Sequence, residues 1–131
     1  MYPDELAIFP PRLMTNAFVA PNGEAAWPSS DVAAVIRVLK DHSCAILGGE
    51  LWCVSDDDGR VHGWIPQRQG PSVVYCWDTA RREGEEWTAY VARCAGNSAR
   101  MVRRWEKSPL VPDGVQGRMV FNLTWQMNAS L

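Results

Sequence analysis

The residues that could support catalysis are two histidines and four cysteines. His42 lies two positions before Cys44, and His62 lies in a stretch that predicts a strand. Nucleophilic catalysis requires a nucleophile, a base and a group that orients the base, and closeness in sequence does not supply that geometry. A histidine at the end of a helix is also explained by the helix dipole. An enzyme built on His42 is therefore the weakest of three hypotheses, and the sequence favours a protein without catalytic activity.

The acidic segment 56–59, with the sequence DDDG, is similar to the start of a calcium-binding loop. Such a loop needs oxygen ligands at alternating positions and a distant glutamate, whereas Arg60 occupies an alternating position and would repel the ion. Cys53 and His62 could face each other on neighbouring strands, but two ligands do not make a zinc site. We therefore expect no metal site and interpret 56–59 as the exposed tip of a hairpin.

Two adjacent glycines, Gly48 and Gly49, interrupt an apolar stretch. They lack the lysine of a P-loop and the further glycines of a dinucleotide-binding fingerprint. The sequence therefore predicts a tight connection between two strands here, and no cofactor.

A long helix is predicted over 83–107, with glutamates near its start and basic residues near its end. Its apolar stripe follows i, i+3, i+4, i+7 spacing and consists of Trp87, Tyr90, Val91, Cys94, Ser98, Met101, Val102 and Trp105. Five basic residues project on the other side: Arg93, Arg100, Arg103, Arg104 and Lys107. This face suits phosphate, so a small ligand- or nucleic-acid-binding domain is the alternative function. No stacking aromatic residues interleave with the arginines, which disfavours nucleic acid as the partner.

Length and composition indicate one soluble domain over residues 1–131. The chain is 47% hydrophobic and 21% charged, and no apolar run is long enough to cross a membrane. The first ten residues carry two acids and no basic region, so we expect a cytoplasmic protein without a secretory signal. The net charge of −2 hides an asymmetry: residues 1–58 carry nine acids and three bases, and residues 59–131 carry six acids and ten bases. Such polarity favours steering of a charged partner.

The cysteines and tryptophans are interpreted mainly as core residues. The four cysteines are Cys44, Cys53, Cys76 and Cys94, and we expect reduced, buried thiols rather than disulfides. The chain has seven tryptophans. Most of them should pack in an aromatic core, and one or two could lie half-exposed at a partner surface.

The remaining elements alternate between strands and one further helix. Residues 1–28 are proline-rich and predict a short hairpin, with 17–20 and 24–27 flanking a turn at Asn22-Gly23. A helix is expected from an N-cap at Ser30 to about residues 41–42, with the apolar stripe Val32, Val35, Ile36 and Leu39. Residues 44–77 predict a meander of three or four antiparallel strands. A last strand over 119–126 should bury Met119, Phe121, Leu123 and Trp125 and leave the alternate residues mostly exposed. The order of elements predicts an α+β fold, in which two helices pack on one face of a mainly antiparallel sheet.

Two short motifs resemble those of small immunity proteins of bacterial polymorphic toxin systems. The first is ILGGELW over residues 46–52, followed by an extended segment that ends at Trp77. The second is EEWTAYV over residues 85–91, at the start of the long helix. In such proteins a Gly-Gly-acidic-apolar-aromatic motif precedes a strand tryptophan and a helix that begins with glutamate and an aromatic-Val pair. Glu50 is the acidic residue and Trp52 the aromatic residue of the motif here.

The resemblance implies a cytoplasmic, non-enzymatic protein that binds and neutralises a cognate toxin. Tight recognition of one partner calls for a desolvated hot spot and complementary charge. We expect the partner-binding surface on the acidic side of the molecule, with Trp52 or Trp64 as the aromatic anchor. The expected residues are Glu50, Trp52, Asp56, Asp57, Asp58 and Trp64.

Overall fold

The predicted α+β fold is confirmed. A computed structural model describes residues 4–55, 60–63, 65, 70–107 and 118–128. These residues form a curled antiparallel sheet, a half-barrel, with two main helices packed against it. The strands are β1 (Phe18–Val19), β2 (Ala25–Trp27), β3 (Ala45–Val54), β4 (Val61–His62), β5 (Cys76–Asp78) and β6 (Arg118–Gln126). The strand order is β1-β2-β6-β3-β4, and β5 also pairs with β3.

The hairpin predicted near the start of the chain is present. Phe18 pairs with Ala26, and Val19 pairs with Ala25. Gly23 in the connecting turn has a φ of 90°, a left-handed conformation that glycine adopts without a steric penalty.

The glycine pair does not connect two strands, so that prediction is wrong. Gly48 and Gly49 lie inside β3, which runs unbroken for 10 residues. A Cβ atom on Gly49 would collide with the Trp77 indole and with the Asn122 carbonyl oxygen. A Cβ atom on Gly48 would collide with the Trp77 carbonyl oxygen. The glycines therefore allow β5 and its tryptophan to lie close against β3.

The last strand lies at the centre of the sheet, between β2 and β3. Phe121 and Leu123 are buried against the helices, as predicted. The prediction that the alternate residues are mostly exposed is wrong, because Val120 and Asn122 are also buried. Because β6 lies between two strands, the side chains of Ala26 and Trp52 on those strands cover Val120 on the face that points away from the helices.

Three α-helices are described: α1 (Pro11–Met14), α2 (Ser29–Asp41) and α3 (Trp87–Lys107). The predicted stripe of α2 is buried: Val32, Val35, Ile36 and Leu39. The N-cap is Pro28 rather than Ser30, and no side chain caps the helix. In α3 the helix begins after the glutamates rather than at residue 83, and Trp87, Met101 and Trp105 of its stripe are only partly buried.

The main core lies between the helices and the sheet. Trp27 is fully buried there, and its indole N–H donates to the Leu13 carbonyl at 2.8 Å. The Trp77 indole crosses the same core to donate to Ser98 Oγ at 3.1 Å. All four cysteines are free, and three are buried as predicted. Cys76 is the exception: it is exposed, because it lies on β5 on the face opposite Trp77.

Candidate partner-binding surface

The face of the sheet that points away from the helices carries the candidate site. A small apolar cluster of Ala26, Trp52 and Val120 lies on this face, with Phe18 packed at its margin. None of the residues in that cluster belongs to a helix. The described residues that build this cluster therefore come from strands and the turns beside them. We call this face of the sheet the open face.

The centre of the open face is a hollow whose floor is a glycine. Gly48 pairs with Thr124 on one side and with Asp78 on the other. Gly48 and the side chains around it line an open cavity of about 360 Å³. Its wall includes three carboxylates, from Glu24, Glu50 and Asp78. We call this cavity the acidic hollow.

Glu50 is held in a defined position by Trp52. The two residues are two positions apart on β3, so their side chains point to the same face. The Trp52 indole N–H donates to Glu50 Oε2 at 2.8 Å. A Cβ atom on Gly63 would lie 3.6 Å from the same carboxylate oxygen, so a glycine there leaves space beside Glu50. The Glu50 carboxylate is thus presented to the hollow in a fixed orientation.

Other polar residues on the open face hold the sheet together. Asn122 is buried, and its side-chain amide donates to the Ala25 carbonyl at 2.9 Å. The Thr124 hydroxyl donates to the Gly48 carbonyl at 3.4 Å. Glu24 accepts a hydrogen bond from the Asn22 side chain at 3.0 Å and is exposed. The side chains of Asn122 and Thr124 therefore tie β6 to β2 and to β3 beside the hollow.

The structure corrects the role expected for Trp52. Only 7% of this residue is exposed, and its ring packs edge-on against Phe18 at a centroid distance of 6.4 Å. It positions Glu50 instead of projecting as an aromatic anchor. Phe18, which is half-buried on an edge strand, is the aromatic residue more accessible to a partner. The sequence carried no signal for this, because β1 is only 2 residues long and shows no alternation.

The other predicted site residues lie outside the described residues: Asp56, Asp57, Asp58 and Trp64. Sequence reasoning missed Glu24 and Asp78. The alternation in β5, where Trp77 is buried and Asp78 exposed, could have assigned Asp78 to the open face. The strand register that brings Glu24 and Asp78 to the same hollow has no local signal in the sequence.

A second polar network fixes the start of α3. Arg93 binds the Glu85 carboxylate through two hydrogen bonds of 2.8 Å, and it donates a third to the Ala80 carbonyl at 2.7 Å. The hydrogen bond from Arg93 and one from the Arg82 backbone N–H lower the pKa of Glu85 from 4.5 to about 2. Arg93 is therefore not a free cation on the outer face of the helix. This finding weakens the alternative in which that face binds nucleic acid.

The two histidines considered for catalysis lie on different elements, at the end of α2 and on β4. His42 is exposed at the C-cap of α2, and its Nδ1 lies 2.9 Å from the Val38 carbonyl oxygen. Burial raises the pKa of the Cys44 thiol, which keeps the thiol protonated and a poor nucleophile. His62 pairs with Cys53 across β3 and β4, as the sequence suggested. Across the described residues, no three potential ligands from His, Cys, Asp and Glu come together to hold a metal.

Comparison with protein-family models, with curated protein sequences and with solved structures finds no significant match. Of the helices in the described ranges, none has the length and apolar character required to cross a bilayer.

Proposed function

We propose that this chain is a binding protein that captures a basic protein partner on its open face, and that it acts as an immunity protein by neutralising a toxin. The proposal rests on one observation above all: the Glu50 carboxylate, oriented by Trp52, lies in an acidic hollow on a sheet face that no described helix covers. The motifs around Gly48-Gly49 and Trp87 resemble those of immunity proteins, and this resemblance supports a toxin as the partner.

The physical basis is charge complementarity combined with a preorganised contact. A carboxylate that is already fixed loses little conformational entropy when it binds an arginine or lysine of the partner. Glu24 and Asp78 add negative charge around the same hollow, which raises the rate of encounter with a basic surface. Phe18, half-buried at the margin of the apolar cluster, provides aromatic surface from which the partner can exclude water.

The test is a growth-protection assay. The reading frame next to the gene for this chain is expressed from an inducible promoter, alone and together with this chain. We expect the neighbouring product to arrest growth and the wild-type chain to relieve the arrest. A double variant, Glu50→Lys with Asp78→Lys, should abolish protection because it reverses the charge of the hollow.

The matched control is the double variant Asp41→Lys with Glu83→Lys, which makes the same total charge change at two exposed positions outside the hollow. It should protect as well as the wild type. The proposal fails if the wild-type chain gives no protection against a toxic neighbour. The assignment of the open face fails if the variant Glu50→Lys with Asp78→Lys protects fully while it remains folded.

A further inference from the structure

A second cavity lies on the other side of β5, between the segment that follows this strand and the first half of α3. It is an open depression of about 590 Å³, and most of its lining residues are exposed. Three arginines line it: Arg82, Arg93 and Arg100. Asp78 lines both this cavity and the acidic hollow of the open face. We call the second space the arginine cavity.

The helix residues of the arginine cavity form one continuous stripe. Arg93, Gly96, Asn97 and Arg100 follow the spacing i, i+3, i+4, i+7, so they share one face of α3. The arginines at 103 and 104 do not line this cavity. Of the basic residues predicted on this face of the helix, Arg93 and Arg100 therefore line the arginine cavity, whereas Arg103 and Arg104 lie outside it.

Hydrogen bonds hold the cavity wall in place and leave cationic donors available. The Asn97 amide donates to Thr79 Oγ1 at 2.7 Å, and its oxygen accepts from Arg100 Nη2. Arg93 uses Nε and Nη2 for Glu85 and Ala80, so among the described residues its Nη1 makes no hydrogen bond. The guanidinium of Arg82 makes no hydrogen bond to a described residue, and its charge acts on Glu85 from a distance. Arg82 and Arg100 thus keep donors for a ligand, whereas the charge of Arg93 is paired with Glu85.

Gly96 leaves the helix backbone accessible at the arginine cavity. It lies in the interior of α3, where glycine costs about 1 kcal/mol relative to alanine. A Cβ atom there would meet nothing within 4 Å, so packing within the described chain does not require a glycine. A glycine does let a ligand approach the helix backbone closely.

We propose that the arginine cavity binds a small molecule that carries both a phosphate and hydroxyl groups, such as a nucleotide or a sugar phosphate. Arginine is well suited to phosphate because its planar fork donates two parallel hydrogen bonds. The Asp78 carboxylate repels the phosphate and accepts hydrogen bonds from hydroxyl groups. It therefore orients the ligand, with the phosphate towards Arg82 and Arg100 and the hydroxyl groups towards β5.

The experiment is calorimetric titration of the full chain at low salt with adenosine 5′-monophosphate, with adenosine and with inorganic phosphate. We expect saturable binding of the monophosphate, weaker binding of phosphate and no binding of adenosine. Arg100→Glu should weaken binding of the monophosphate roughly ten-fold or more. The substitution removes a hydrogen-bond donor and introduces a negative charge that repels the phosphate. Gly96→Leu should weaken it similarly by filling the cavity, while keeping a strong helix former.

The matched control is Arg104→Glu, an equal charge reversal on the exposed part of the same helix. Arg104→Glu should change the affinity for the monophosphate by less than roughly three-fold, because it acts on the ligand only through long-range electrostatics. An effect equal to that of Arg100→Glu would overturn the proposal, since it would indicate diffuse attraction. Absence of saturable monophosphate binding up to about 10 mM would overturn it as well.

Asp78→Asn tests the orientation of the ligand. It should strengthen binding of inorganic phosphate, because a repulsive charge is removed, and weaken the preference for the monophosphate over phosphate. If Asp78→Asn strengthens binding of the monophosphate and of inorganic phosphate equally, Asp78 does not contact the hydroxyl groups. That part of the proposal is then overturned. These titrations do not depend on the toxin assay, so failure of either proposal leaves the other intact.

Discussion

The indole N–H of Trp52 is bonded to the carboxylate of Glu50, two positions earlier on the same strand. One residue is almost fully buried and the other half-exposed, so the tryptophan connects the apolar cluster of the open face to its acidic hollow. The packing of the Trp52 ring and the position of the Glu50 carboxylate are therefore coupled, and substitutions at Trp52 should affect both.

Trp52→Phe should reduce the free energy of unfolding by about 1–3 kcal/mol. Phenylalanine keeps an aromatic ring against Phe18 but loses the hydrogen bond to a charged group. Glu50→Gln, which retains an acceptor oxygen, should cost less. Urea unfolding followed by circular dichroism measures both values. A Trp52→Phe variant as stable as the wild type would show that the hydrogen bond contributes nothing to the folded state.

Gly49→Ala and Gly96→Ala should have opposite effects on stability. A Cβ atom on Gly49 collides with the Trp77 ring and the backbone of β6, so we expect a loss of about 2–4 kcal/mol. The same substitution at Gly96 meets open space on a helix and should stabilise by about 0.5–1 kcal/mol. Thermal unfolding of the two variants provides the comparison. Equal effects would contradict the inclusion of the glycine pair within β3.

Stability should depend on pH through the pair of Glu85 and Arg93. The pKa of Glu85 is about 2 in the folded chain, against an ordinary value of 4.5 that applies after unfolding. Ionised Glu85 therefore stabilises the fold fully above pH 4.5, and this stabilisation is lost as the pH falls towards 2. Glu85→Gln should be less stable than the wild type at pH 7, and the difference should shrink between these two pH values. Glu83→Gln, which removes one negative charge from an exposed position in the same loop, is the control for the change in net charge.

Thiol reactivity should distinguish Cys76 from the other three cysteines. Cys76 is exposed on β5, whereas Cys44, Cys53 and Cys94 are buried. Burial also raises the pKa of the Cys44 and Cys94 thiols, which lowers their thiolate fraction. Brief treatment of the native protein with iodoacetamide should label one site, and Cys76→Ser should remove that label. Rapid labelling of a second cysteine in the folded protein would contradict the burial pattern.

Local patterns predicted the helices and the first hairpin well. The stripe of α2 and most of that of α3 could be predicted because a helix buries residues at a fixed local period. The turn at Asn22-Gly23 could be predicted because its left-handed conformation is a property of one residue. The candidate site was only partly accessible: Glu50 was identified from a motif, whereas Glu24 and Asp78 were not.

The sequence alone determined the class of fold, the two main helices with their buried stripes, and the overall charge polarity. The tertiary structure decided that the glycine pair lies inside a strand, that β6 occupies the centre of the sheet, and which charges share a cavity. The reason is that strand order and register are set by contacts between distant segments. Gly49 lies opposite both Trp77 and Leu123 only after three separate parts of the chain have paired. The alternation of residues along a strand indicates which side of the strand is apolar. It does not indicate which other strand will pair with it.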